Sequence, residues 1–116
     1  GCVTNGSART QYAKLDQVQF RGYFDAIIVS EEAGVKKPDR RIYEMALSRL
    51  QARSENCWFV GDHPEKDAQG AAAAGMRPVL LLTTPAESGP LLPEGTLTIN
   101  KLQELLPLCT GPFLRF

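Results

Sequence analysis

Four short apolar runs punctuate the chain, "GCVT" from residue 1, "FDAIIVS" from 24, "CWFVG" from 57 and "RPVLLL" from 77, with helix-length stretches between most of them. A continuous apolar run, without alternation, is the signature of a strand buried on both faces. Such a strand, followed by a helix and then another strand, forms a right-handed crossover, so the strands run parallel. The pattern predicts an α/β fold, with a parallel sheet covered by helices on both faces. At 116 residues the chain holds one domain at most.

The intervening stretches carry helix signals. "ARTQYAKLDQVQF" spaces Tyr12, Leu15 and Val18 along one helical face, with Arg21-Gly22 as its stop. Asp39 is placed to cap "RRIYEMALSRL", whose inner face is expected to hold Ile42, Met45, Ala46 and Leu50. Pro64 suits the first turn of the next helix and Gly75 its end. "TLTI" is expected as a short edge strand. Asn100 is expected to cap a last helix with Leu102, Leu105 and Leu106 inward. Thr84 to Gly95 reads as a loop and "TGPFLRF" as a loose tail. The chain thus divides into a core over residues 1–83 and a completing loop, strand and helix over 84–116.

Thirteen basic residues balance thirteen acidic ones, so net charge points to neither a nucleic-acid nor a membrane partner. Cys2, Cys57 and Cys109 form no CxxC and leave an odd thiol, which argues against a disulfide framework and for the cytoplasm. No run of 18 apolar residues is present.

Parallel α/β sheets bind ligands beyond the carboxyl ends of their strands. Thr4, Asn5 and Ser7 follow the first strand, Lys37 follows the second after a loop, and Asp62 and Asp67 follow the third. Each has a plain structural reading. Thr4 is a β-branched strand residue, Asn5-Gly6 a turn, Lys37 a solvated charge, and the two aspartates a cap and a first-turn acid. His63 is the only histidine and has no evident partner. Their convergence on one rim is what points to chemistry, and Pro38 restricts the backbone of Lys37.

Together "VTNGS", "GVKKPDRRIYE" and "FVGDHPEKDAQGAAAAG" resemble the second, third and fourth motifs of the haloacid dehalogenase-like (HAD) hydrolase superfamily. The stretch "YFDAIIVSEEAGVKKPD" is similar to its phosphatase branch. The resemblance implies a three-layer Rossmann-like core. It also implies a Mg²⁺-dependent phosphatase acting on a small phosphorylated metabolite. Thr4 and Lys37 would then be catalytic, Asn5 and Gly6 would bind substrate, and Asp62 would bind the metal. Asp67 would bind the metal directly, bind it through water, or orient Lys37. Ala68, Ala71, Ala72 and Gly75 would let the helix lie close on the sheet.

The family's first motif, DxDx[TV], carries the nucleophile aspartate on a central strand between those corresponding to "GCVT" and "CWFVG". The chain contains no such motif. Burying the five or so apolar side chains of that strand is worth on the order of 10 kcal/mol. This compares with a domain's total of about 5–15 kcal/mol. The expectation is that an upstream region or a partner chain supplies the strand. Rival readings are a non-catalytic HAD-fold interaction module and a response-regulator receiver. The latter has its acids before its Thr and Lys, the reverse of the order here. A P-loop or dinucleotide fold lacks its GK[ST] or GxGxxG signature.

Overall fold

Three parallel ladders organise the structure, a computed structural model that describes residues 1–83 and 92–109. β1 (Cys2–Thr4) pairs with β2 (Ile27–Val29), with Val3 opposite Ile28. β3 (Trp58–Gly61) pairs with β4 (Arg77–Leu81), and β4 with β5 (Leu97–Ile99). "TLTI" is therefore an edge strand, as its sequence suggests. The ladders form a two-stranded sheet, β1-β2, and a three-stranded sheet, β3-β4-β5. The division falls where the resemblance leaves a central strand missing. Among the described residues, nothing pairs with β1 on its side away from β2, or with β3 on its side away from β4.

One helical layer ties the two sheets together. α3 (Arg40–Leu50) buries Ile42, Tyr43 and Ala46. These join Ile28 of β2 and Ala71, Ala74 and Met76 in a single core, with Val3 and Phe59 packed against it. Asp39 caps α3 as expected: its carboxylate accepts from the Arg41 amide at 2.9 Å. The Arg41 guanidinium pairs with the same carboxylate, and the two contacts lower the Asp39 pKa to about 2. Tyr43 was not expected inside. It is fully buried because Gly70 offers it a groove: a Cβ at Gly70 would lie 2.1 Å from the Tyr43 hydroxyl oxygen.

Two helices depart from expectation. α1 (Ala8–Gln17), capped by Ser7, buries no residue, and Val18 just beyond it is 54% exposed. Its end is Val18, while Arg21–Tyr23 forms a separate 3₁₀ turn. The last segment begins as a 3₁₀ turn, Leu102–Leu105, before α5 (Leu106–Cys109). Three residues per turn rotates the leucine stripe off the expected face, so Leu102 and Leu106 are exposed at 56% and 63%. Lys101, not Asn100, takes the cap position. Residues 84–91 of the expected loop and the tail from 110 lie outside the described residues.

Candidate active site

The site begins where β1 stops. Thr4 is the last residue of β1, and Asn5 turns its carboxamide across to the loop that follows α2 (Ser30–Ala33). Asn5 Nδ2 donates to the Lys37 carbonyl at 3.1 Å, and the Lys37 amide donates to Asn5 Oδ1 at 2.9 Å. Two residues 32 apart in sequence are thus joined as if by a ladder rung. One Nδ2 hydrogen remains beyond this pair. Gly6 sits at φ +142°, a region closed to most side chains, and its amide donates to Ser30 Oγ at 2.9 Å. Gly6 therefore shapes the loop.

With its backbone clamped, Lys37 reaches Asp67. Lys37 Nζ lies 2.7 Å from Asp67 Oδ1, and the two side chains are only 13% and 7% exposed. The ammonium also stands 5.5 Å from the centre of the Phe59 ring, within cation–π range. Asp67 Oδ2 accepts from the Asp62 and His63 amides at 3.0 and 2.9 Å. Both oxygens of Asp67 are thus committed to protein donors. Asp67 thereby ties Lys37 to the turn after β3.

The helix bearing Asp67 starts as a π-helical turn, Pro64–Gln69, and runs into α4 (Gly70–Ala73). Amides reach back five residues there, Ala68 to His63 and Gly70 to Glu65. Such widened turns favour functional positions. His63 Nδ1 accepts from the Lys66 amide at 3.1 Å, so the lone histidine caps this helix. From the other side the Tyr43 hydroxyl donates to the Lys66 carbonyl, next to Asp67. Burial, and then the Asp67 charge, push the Tyr43 phenol up to about 12. Tyr43 also stacks edge-on with Phe59 at 5.2 Å.

Asp62 directly follows β3, is exposed, and its carboxylate has no partner among the described residues. It is an available hard oxygen donor. Among the described residues no group of three or more His, Cys, Asp or Glu could hold a metal ion by itself. The rim therefore brings Asn5, Lys37, Asp67 and the Asp62 backbone into one hydrogen-bonded chain, with Thr4 at its near end.

Several members of this assembly escape a reading of sequence. Gly61 has a signal in hindsight: a glycine closing an aromatic and β-branched strand marks a close approach. A Cβ there would lie 2.3 Å from Asp67 Cγ. Tyr43, Gly70 and Phe59 read only as helix and strand residues.

A family model, that of the haloacid dehalogenase-like hydrolases, matches residues 1–75. The chain belongs to this family. The HAD chain is 41% identical over 76 residues to a glyceraldehyde 3-phosphate phosphatase of Methanopyrus kandleri, covering 66% of its own length and 33% of the relative. Over 109 residues it is 35% identical to a pyrimidine 5'-nucleotidase of Escherichia coli, covering 90% of itself and 47% of that protein. Among solved structures, a HAD hydrolase from Bacillus subtilis bound to magnesium superposes with a TM-score of 0.84 at 28% identity. That match covers 94% of this chain and 48% of the other. The chain spans a third to a half of the length of these relatives. The shared architecture is the parallel α/β core of the HAD fold.

Proposed function

We propose that the complete protein is a Mg²⁺-dependent phosphoric-monoester hydrolase acting on a small phosphorylated metabolite. The observation that carries this reading is the buried Lys37–Asp67 pair, fixed by Asn5 on one side and by the Asp62 and His63 amides on the other. A transferring phosphoryl group spreads negative charge over its oxygens, so a site for it consists of fixed cations and donors. Lys37 is the fixed cation, held by a buried carboxylate that two backbone amides anchor in turn. Thr4 and the spare hydrogen of Asn5 are the donors, and Gly6 sets the turn that follows them. The relatives named as phosphatases of glyceraldehyde 3-phosphate and as a pyrimidine 5'-nucleotidase act on molecules of the proposed substrate class.

Asp62 fits the metal, because Mg²⁺ takes one or two carboxylates and fills its other positions with water and phosphate oxygens. When bound, the ion would neutralise charge on the phosphate. The nucleophile aspartate and further metal ligands are assigned to a strand inserted between β1 and β3, supplied by an upstream region or a partner chain. The open sides of those two strands support that placement. A cytoplasmic setting belongs to the same reading, in keeping with the free thiols of Cys2 and Cys57.

The test is a phosphatase screen of the complete protein with and without Mg²⁺, alongside Asp62→Asn. The variant is expected to lose at least about tenfold in activity and to stop responding to Mg²⁺. Full activity in Asp62→Asn would remove this metal site. No activity in the intact protein towards any phosphomonoester would favour a non-catalytic interaction module.

A further inference from the structure

Gln11, in the first turns of α1, is drawn back over the loop that carries Thr4. Its Nε2 lies 2.6 Å from Thr4 Oγ1 and 2.8 Å from the Asn5 carbonyl oxygen. A carbonyl oxygen can only accept, so the contact with Asn5 fixes which end of the carboxamide is nitrogen. The second hydrogen of that nitrogen then goes to Thr4 Oγ1. Gly6 makes room for the arrangement: a Cβ there would lie 3.1 Å from Gln11 Cγ and Cδ. Gln11 Oε1, meanwhile, is buried with no hydrogen-bond partner among the described residues. Leaving a buried acceptor unsatisfied is costly. The side chain is therefore placed for its nitrogen, at the expense of its oxygen.

We infer that Gln11 is a positioning residue that sets the direction of the Thr4 hydroxyl proton. This rests on the reading of Thr4 as a phosphate contact. A hydroxyl has one hydrogen and two lone pairs. With Gln11 donating into one lone pair, the hydrogen cannot point at Gln11 and is left for a ligand. A phosphate dianion carries only acceptors, so the hydroxyl meets it already turned as a donor. Donors oriented in advance need no reorganisation when charge develops.

The experiment uses the complete protein with Gln11→Glu, nearly the same shape with the donor replaced by an acceptor. The ionised carboxylate attracts the Thr4 proton, which leaves a lone pair facing the anion. The probe is inorganic phosphate as a competitive inhibitor of p-nitrophenyl phosphate hydrolysis, each pH being referred to the native protein. At pH 8 the variant is expected to bind phosphate roughly 10- to 100-fold more weakly. The deficit is expected to shrink to a few-fold near pH 5, as the carboxyl takes up a proton and donates again. A deficit equal at both pH values marks a merely structural role and overturns the inference, as does native-like binding at pH 8. Should Gln11→Glu fail to fold, Gln11→Met decides the matter through a cycle with Thr4→Val. Coupling supports the inference, and simple additivity overturns it. A native protein that neither hydrolyses the probe nor binds phosphate defeats the phosphatase reading and this inference together. A native protein that does both, with a pH-independent variant, defeats this inference alone.

Discussion

Replacing Asp67 with alanine is expected to lower the stability of the complete protein by about 3–5 kcal/mol, the usual cost of removing one partner from a buried ion pair. Three groups lose their partner at once. The ammonium of Lys37, whose side chain is 13% exposed, is left without its carboxylate, and the Asp62 and His63 amides lose their acceptor. The loss is a large fraction of a domain's total of about 5–15 kcal/mol. Asp67→Asn keeps an acceptor for the amides but turns a donor NH₂ towards the Lys37 ammonium. It loses both the charge and the contact with Lys37 while sparing the amides, and it is expected to fall between alanine and the native protein. Urea denaturation followed by circular dichroism measures both. A loss below about 1 kcal/mol for the alanine variant is typical of an exposed pair, and would mean that Lys37 and Asp67 are not buried together.

Gly61→Ala is expected to be nearly as damaging, although it adds only a methyl group. The new Cβ would lie 2.3 Å from both Cγ and Oδ2 of Asp67 and 2.5 Å from its Cβ. Neither side can retreat easily. Gly61 is in register with Leu80 in the β3–β4 ladder, and Asp67 is anchored by Lys37 and two amides. Overpacking alone costs about 1–3 kcal/mol. Expelling Asp67 adds the loss of its ion pair, so a total of roughly 3 kcal/mol or more is expected. Phosphatase activity is expected to fall below detection, because Lys37 would lose the group that aims it. Native-like melting together with native-like activity would show that Asp67 does not sit against Gly61.

The strands were legible because burial on both faces writes itself as continuous apolar runs, and Asp39 was legible because a cap needs only its own neighbours. Thr4, Asn5, Lys37, Asp62 and Asp67 could be placed on one rim because a parallel sheet carries every strand's carboxyl end to the same side. What stayed hidden depends on distances across the fold. Nothing in the sequence says that the Asn5 carboxamide reads the Lys37 backbone, or that Asp67 engages both its oxygens with protein donors. Tyr43 is not marked by the sequence, because helical spacing points to Ile42 and Ala46 first. Only the groove at Gly70, on another helix, explains why an aromatic fits there. The leucines near 102–106 misled because their spacing assumes an α-helix, and the segment starts with three residues per turn. The gap between the sheets could be anticipated only from a resemblance, since among the described residues no strand joins them.

The central claim is that one rim gathers Thr4, Lys37 and Asp62 around a phosphate and its metal. A crystal structure of the complete protein grown with orthophosphate and Mg²⁺ tests it directly. The expected result is an anion with oxygens about 2.6–3.2 Å from Thr4 Oγ1 and Lys37 Nζ, and a cation about 2.0–2.1 Å from an Asp62 carboxylate oxygen. Phosphate and metal bound elsewhere, with Thr4 and Lys37 touching neither, would contradict it.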